Sequence, residues 1–289
     1  PAWSPQNSDG KFAGLSTVTE GLVRSRNTMT VRLGNYAGLN RVIDLLTNAG
    51  FSKPQRTPQI FIGNLAGNPR QLTSAMSIFP NQGLRRRPFL IDRIIDKAGN
   101  IIYQTPVLES EVITPSVAHL MRQILAQVLD RGTAAALRSE HGFKEPGGGK
   151  TGTTNDYKDA WFAGYTDRVT CSVWVGLDKP QTIVDEGYGG KLSLPIYADV
   201  MKKALTLGYK TEVPKVQLPL SRVTLCRVSS QLATDGCGHA GTAYEDALPY
   251  DLVPQNFCME HQGYAAPPPR TQQPSRGRGI FDRIRGWFR

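Results

Sequence analysis

The sequence predicts an α+β fold in which helices pack against an antiparallel β-sheet. Apolar residues recur at helical spacing over residues 117–129, which indicates a helix with one apolar face. Three short strand candidates follow over residues 150–154, 160–166 and 169–177, and the short turn around Asp167 makes the last two an antiparallel pair. Helices that come before and after one such sheet are typical of the α+β class.

Local signals justify the first helices in turn. Thr17 and Glu20 have the spacing of a capping box and open a helix. Residues 25–27 fall where that helix should end, because Ser and Asn side chains compete for backbone hydrogen bonds. Two further helices are expected over residues 28–36 and 39–49.

The middle of the chain predicts a hairpin and then the clearest helix. Two apolar runs within residues 89–104 flank a turn, which is typical of a β-hairpin. Thr114 is a suitable N-cap and Pro115 a suitable first residue for the helix that follows, and Gly132 ends it. After the sheet, a last helix is expected to start at Ser193.

The strongest motif is Lys150-Thr151-Gly152-Thr153, directly after the glycine run 147–149, which we interpret as a flexible hinge. Such a tetrad is expected by chance in well under about one per cent of chains of this length. The lysine would present a cation to a ligand carboxylate, and the threonines would offer hydroxyl groups. The glycine would let a ligand backbone lie close along the strand. The motif therefore predicts a binding strand for a carboxylate-bearing ligand.

A second motif, Ser25-Arg26-Asn27, has the form S-x-N and lies 125 positions before Lys150. Such a triplet is common by chance, and taken alone it indicates an ordinary turn between helices. Its value comes from its position at a helix boundary and from its order along the chain. We expect Ser25 and Asn27 to face Lys150 across one site.

These residues resemble the transpeptidase domain of class A (bifunctional) penicillin-binding proteins, a family that combines S-x-x-K, S-x-N and K-T-G motifs. The resemblance covers about residues 1–207. The segments that carry it are residues 3–14 before the S-x-N motif, Ser25-Arg26-Asn27-Thr28, Lys150–Thr154, 156–165, 173–176 and 194–198.

The resemblance implies a penicillin-binding/β-lactamase-like transpeptidase fold and a peptidoglycan D,D-transpeptidase that cross-links stem peptides through a serine acyl-enzyme. It implies peptidoglycan stem peptides and β-lactams as partners, with no cofactor and no metal. It also implies an extracytoplasmic location at the membrane face. The implied catalytic residues are Ser25, Asn27 and Lys150, and the implied substrate-binding residues are Thr151, Gly152 and Thr153.

The nucleophilic serine of the family's S-x-x-K motif has no convincing match. Only Ser8 has a lysine three positions later, Lys11, and the intervening Asp9 and Gly10 are poor residues for a helix interior. We interpret Ser8 as a loop residue and expect the nucleophile and a membrane anchor to precede Pro1. The isolated chain would then be inactive. The alternative is a non-catalytic module of the same fold that binds wall peptides or acts as a scaffold.

The predicted organisation is a transpeptidase part over residues 1–210, a small cysteine-containing appendage over 211–264, a disordered linker over 265–279 and a basic amphipathic helix over 280–289. The chain carries a formal charge of +10 and has no apolar run of about 18 residues that would span a membrane. Arginines and aromatic residues in the final helix predict contact with an anionic membrane surface rather than with nucleic acid.

The cysteines leave two interpretations open. Cys226, Cys237 and Cys258 lie in the last third of the chain, and with His239 and His261 they are candidate zinc ligands. Their spacing matches no zinc module that we can identify, so a disulfide with one unpaired thiol is the preferred interpretation for an extracytoplasmic protein. Cys171, on an alternating strand, is expected to fill a buried apolar position.

Overall fold

The structure is a computed structural model. The chain forms two compact units, Pro1–Gln217 and Leu218–Arg289. The predicted linker 265–279 and helix 280–289 lie outside the described part. The residues that the structure describes are 3–12, 14, 16–52, 54–209 and 218–261.

The first unit supplies the helices that were predicted and two more. In chain order they are α1 (Val18–Val23), α2 (Asn27–Ala37), α3 (Leu39–Asn48), α4 (Pro69–Met76), α5 (Pro115–Arg131), α6 (Ala136–Ser139) and α7 (Gly189–Thr206). A 3-10 turn, Pro58–Ile62, lies between α3 and α4.

The described strands of this unit form three separate antiparallel sheets. They are β1 (Leu84–Arg86), β2 (Arg93–Ile95), β3 (Ile101–Gln104), β4 (Glu109–Glu111), β5 (Gly147–Thr153), β6 (Asp159–Thr166) and β7 (Thr170–Gly176). β1 pairs with β4, β2 pairs with β3 as the predicted hairpin, and the main sheet has the order β5-β6-β7. Helices around an antiparallel sheet are the predicted α+β architecture.

The helix ends follow the capping signals of the sequence. The Thr17 hydroxyl accepts a hydrogen bond from Glu20 N at 3.1 Å, and the Thr114 hydroxyl accepts one from Val117 N at 3.3 Å. Helix α4 was not predicted from the sequence, although Asn68 and Gln71 form a complete capping box at its start. These bonds satisfy N–H groups that a helix cannot pair internally.

The glycine run 147–149 is part of strand β5, so the expectation of a flexible hinge was wrong. A Cβ at Gly148 would lie 2.6 Å from the Tyr165 hydroxyl and 2.8 Å from the Leu125 side chain, and one at Gly149 would lie 2.6 Å from Phe162. Glycine is therefore required here for close packing of the strand on its neighbours rather than for flexibility.

The main core lies between β5-β6-β7 and the helices α5 and α7. Its buried residues are Val23, Val128, Leu129, Ala134, Leu137, Phe143, Phe162, Leu194, Tyr197, Ala198 and Met201. Cys171 packs against this cluster as predicted, but it is partly buried rather than fully buried. α7 starts at Gly189 rather than at the predicted Ser193. The prediction placed Pro195 in the first turn, whereas this proline lies inside the helix.

The second unit contains more regular structure than the irregular appendage that was predicted. Strand β8 (Leu220–Cys226) pairs antiparallel with β9 (Ala243–Pro249). The short helix α8 (Asp235–His239) lies between them in the chain, and a 3-10 turn, Tyr250–Leu252, follows β9. Within the described residues of either unit, no helix is both long and apolar enough to span a membrane.

Candidate active site

Ser25 lies on the turn that joins α1 to α2. Its φ angle is 55°, in the left-handed region, where a residue other than glycine is strained by about 1–2 kcal/mol. Ser25 N donates to Leu22 O at 3.1 Å and Arg26 N donates to Gly21 O at 2.7 Å, which closes the end of α1. Glycine is the usual residue at this position of a helix end. A serine held there in spite of the strain indicates that its hydroxyl group is used.

The Lys150 ammonium of strand β5 contacts the Ser25 hydroxyl directly. Nζ donates to Ser25 Oγ at 2.8 Å, across 125 positions of sequence. Nζ also donates to the Thr151 carbonyl at 2.9 Å and approaches the Thr151 hydroxyl at 3.4 Å. The two motifs found in the sequence therefore meet at one point, where the edge strand of the main sheet faces the α1–α2 turn.

Burial lowers the proton affinity of the Lys150 side chain. The side chain is half-buried, its hydrogen-bond partners are neutral oxygens, and no carboxylate within the described residues forms an ion pair with it. Desolvation of the charged form lowers the pKa of Lys150 from 10.5 to about 8. An anionic ligand would supply the missing counter-charge and raise this pKa again.

The other residues of the third motif follow Lys150 along β5. The Thr151 and Thr133 hydroxyls are 2.7 Å apart, which places the residue just after α5 in the site. The Thr153 hydroxyl accepts from Gly189 N at 3.1 Å, at the start of α7. Thr133 was not predicted from the sequence, because no motif marks a single threonine that follows the end of a helix.

Asn27 is the first residue of α2, and its amide points to the preceding loop. Asn27 Nδ2 donates to Gln6 O at 2.9 Å. The structure therefore brings Ser25 to Lys150. Asn27 was expected to face Lys150 too, but its side chain bonds Gln6 of the loop instead. Within this arrangement Asn27 holds the loop against the turn.

Two further contacts fix that loop. Arg26 Nη1 bonds both carboxylate oxygens of Asp9, at 2.8 and 2.7 Å, and this pairing lowers the pKa of Asp9. The buried Asn7 side chain accepts from Thr28 N at 3.3 Å and donates to Lys11 O at 2.7 Å. The segment before the S-x-N motif thus positions the α1–α2 turn.

Ser8 belongs to this exposed loop and not to a helix. Gly10, between Ser8 and Lys11, has a φ of 64°, which breaks any helical path. A nucleophilic serine of the S-x-x-K type sits at a helix N-terminus in the family that the sequence resembles. The geometry of Ser8 does not fit that role.

Fold and site together define an α+β protein whose polar site joins an edge-strand lysine to a serine on a helix turn. The model of the penicillin-binding protein transpeptidase domain matches residues 1–202. The chain therefore belongs to the penicillin-binding protein transpeptidase family, and the class A resemblance seen in the sequence is confirmed.

Curated relatives called penicillin-binding protein 1A include proteins from Rickettsia bellii and Neisseria lactamica. The Rickettsia bellii protein is 30% identical over 263 residues, which cover 82% of this chain and 32% of the relative. The Neisseria lactamica protein is 35% identical over 211 residues, which cover 70% of this chain and 26% of the relative. The chain thus spans about a third or less of the relatives that it matches.

Solved structures support the same fold. The crystal structure of penicillin-binding protein 1A from Haemophilus influenzae matches with a TM-score of 0.76 at 22% identity, over 89% of this chain and 43% of that chain. The PonA1 protein from Mycobacterium tuberculosis in complex with penicillin V matches with a TM-score of 0.61 at 23% identity, over 75% of this chain and 62% of that one. The predicted fold class is therefore confirmed.

Proposed function

We propose that residues 1–202, which match the transpeptidase family, form part of the acyl-transfer site of a peptidoglycan D,D-transpeptidase. The observation that carries the proposal is the 2.8 Å contact between Lys150 Nζ and Ser25 Oγ. Family membership supplies the reaction class, and the contact supplies a cation and a proton donor at one point of the site.

The proposed reaction has two acyl transfers. A serine hydroxyl attacks the carbonyl of the penultimate D-Ala of a stem peptide, the serine ester forms, and the C–N bond to the terminal D-Ala breaks as its nitrogen takes up a proton. An amine of a second stem then attacks the ester and forms the new amide, and the serine recovers its proton. β-Lactams would acylate the same serine because they present a similar carbonyl and carboxylate.

The residues described here have three roles in that scheme. Lys150, with Thr151 and Thr153, would hold the terminal carboxylate of the stem peptide. Ser25 accepts a hydrogen bond from Lys150 and has its own hydrogen free to donate to the leaving nitrogen, so a proton can pass from Nζ through Oγ.

Two further groups complete the proposal. The backbone N–H of Thr153 would be one donor to the oxyanion of the tetrahedral intermediate, and the attacking serine would provide the other from its own N–H. Asn27 would position the substrate through the loop that it holds. We assign the attacking serine to a part of the protein outside residues 1–289, working on the extracytoplasmic side of the membrane.

The test uses the intact protein that contains this chain and measures its acylation by a fluorescent penicillin. We expect Ser25→Ala and Lys150→Met each to slow acylation by about 10²-fold or more, because proton transfer by a positioned group contributes about 10²–10⁴-fold. Lys203→Met is the matched control, since Lys203 is an exposed lysine in the last turn of α7.

The alternative is a non-catalytic module that binds wall peptides. It predicts no acylation of the intact protein at any rate, with binding of stem peptides retained. Acylation that continues at the wild-type rate in Ser25→Ala and Lys150→Met would instead contradict the roles proposed for these two residues.

A further inference from the structure

The second unit gathers three thiols and one imidazole at a single point. Cys226 is the last residue of β8, Cys237 lies in α8, and Cys258 and His261 lie near the end of the described chain. Their sulfur and nitrogen atoms all lie within 4.8 Å of one another. Three segments that are distant in sequence thus direct every one of these side chains into one cluster.

The distances are those of a metal coordination shell. His261 Nδ1 lies 3.4 Å from Cys226 Sγ, 3.7 Å from Cys237 Sγ and 3.5 Å from Cys258 Sγ. A tetrahedral zinc ion, with Zn–S bonds of about 2.3 Å and Zn–N bonds of about 2.0 Å, places sulfur and nitrogen about 3.5 Å apart. A central ion would therefore match the three observed sulfur–nitrogen distances.

The preferred sequence interpretation, a disulfide, explains this cluster less well. A disulfide needs a sulfur–sulfur distance of about 2.05 Å, whereas the four cysteines are free thiols. It would also leave the third, buried thiol and the half-buried imidazole of His261 in contact without a role. His239, the other histidine considered from the sequence, is an exposed residue at the end of α8 whose Nδ1 lies 2.9 Å from Asp235 O, outside the cluster.

The surroundings of the cluster favour charged sulfur ligands. Cys226 and Cys237 are fully buried, and Cys258 is 3% exposed. Val228 N donates to Cys226 Sγ at 3.4 Å and Thr234 N donates to Cys237 Sγ at 3.4 Å, as backbone amides do around ligating thiolates. Buried thiolates need a cation to balance their charge, because an isolated buried charge is strongly disfavoured.

One more contact fixes the histidine. The Thr234 hydroxyl, at the N-cap of α8, donates to the His261 carbonyl at 2.6 Å. Cys258 N donates to Leu232 O at 2.8 Å, which ties the same segment to the strand bridge beside β8. The backbone that carries Cys258 and His261 is thus held in place by its own hydrogen bonds.

The small size of the described part of the second unit favours a stabilising role for the cluster. Within residues 218–261, the apolar cluster apart from the cysteines is small: Val223, Leu225 and Leu232 are buried, with a few partly buried neighbours. Its described part, residues 218–261, is close to the length of about 40 residues below which domains need disulfides or metals. A cross-link between β8, α8 and the final segment would stabilise this unit.

We propose that Cys226, Cys237, Cys258 and His261 bind one zinc ion as a structural site. All four coordination positions are supplied by the protein, so no position stays open for a substrate, which is the arrangement of structural Cys3His sites. On binding, the cysteine thiols release their protons to solvent and His261 coordinates through Nδ1 in its neutral form. The proposal is independent of the function proposed for the first unit.

The first test measures zinc in purified chain 1–289 by plasma mass spectrometry after removal of loosely bound metal. We expect one zinc ion per chain, and none in Cys237→Ser. The matched controls are Cys171→Ser, which removes the cysteine of β7, and His239→Ala, which removes the excluded histidine. Both should retain one zinc ion.

A second measurement decides the matter if Cys237→Ser fails to fold. Cobalt(II) exchanged into the wild-type chain should give the intense visible bands of tetrahedral cobalt and a thiolate-to-cobalt charge-transfer band. Zinc should also protect three cysteines of the native chain from alkylation, and a chelator should expose them. Wild-type chain without bound zinc, with either a disulfide or three alkylatable thiols among these cysteines, would overturn the proposal.

Discussion

Lys150 shows how burial and hydrogen bonding set the chemistry of one residue. Its ammonium is half-buried, it bonds Ser25 and Thr151, and its pKa falls to about 8. The K-T-G and S-x-N motifs identified this lysine and this serine from the sequence. Their contact at 2.8 Å could not be read from local sequence. It depends on the tertiary fold, which joins two residues 125 positions apart.

The lowered pKa of Lys150 predicts a pH-dependent stability. The folded state releases the proton near pH 8 and the unfolded chain near pH 10.5, so the unfolded state binds more protons between these values. The free energy of unfolding of wild type minus that of Lys150→Met should therefore rise by about 1–3 kcal/mol from about pH 7 to about pH 10. Urea unfolding at both pH values measures it.

Lys203→Met is again the control for that measurement, because Lys203 is an exposed lysine of α7. A difference for Lys150→Met that does not change with pH would mean that burial leaves this ammonium unperturbed.

At the scale of elements, capping residues could be identified from the sequence, whereas packing constraints could not. Thr17 and Thr114 predicted the starts of α1 and α5, because an N-cap acts on residues close in sequence. The role of Gly148 and Gly149 was misread as flexibility, since their close contacts with Tyr165 and Phe162 exist only in the folded sheet.

The end of α1 provides a prediction at this scale. Ser25 has a φ of 55°, so Ser25→Gly should relieve strain that Ser25→Ala retains, although both lose the hydroxyl. We expect Ser25→Gly to be more stable than Ser25→Ala by about 1 kcal/mol. Denaturant unfolding of the two variants tests this, and equal stabilities would show that the turn is not strained.

At the scale of the whole molecule, the family and the α+β class were predictable, while the second unit was not. The sequence spacing of Cys226, Cys237 and Cys258 matched no zinc module, because the cluster is assembled by the pairing of β8 with β9 and by α8. Only the fold places His261 beside all three sulfurs and His239 outside.

The assignment of the nucleophile outside this chain predicts that purified chain 1–289 forms no covalent adduct with a fluorescent penicillin. Ser8 is the only serine followed by lysine at the right spacing, and it lies in an exposed loop. A denaturing gel after incubation is the measurement. A labelled band that disappears in Ser8→Ala would show that Ser8 is the nucleophile.

The joint action proposed for Ser25 and Lys150 in acyl transfer can be tested by adding the double variant to the acylation experiment on the intact protein. Residues that act together give non-additive losses, whereas independent residues give losses that multiply. We predict that Ser25→Ala combined with Lys150→Met acylates no more slowly than the slower single variant. A double variant whose loss of acylation rate equals the product of the two single losses would contradict this joint action of Ser25 and Lys150.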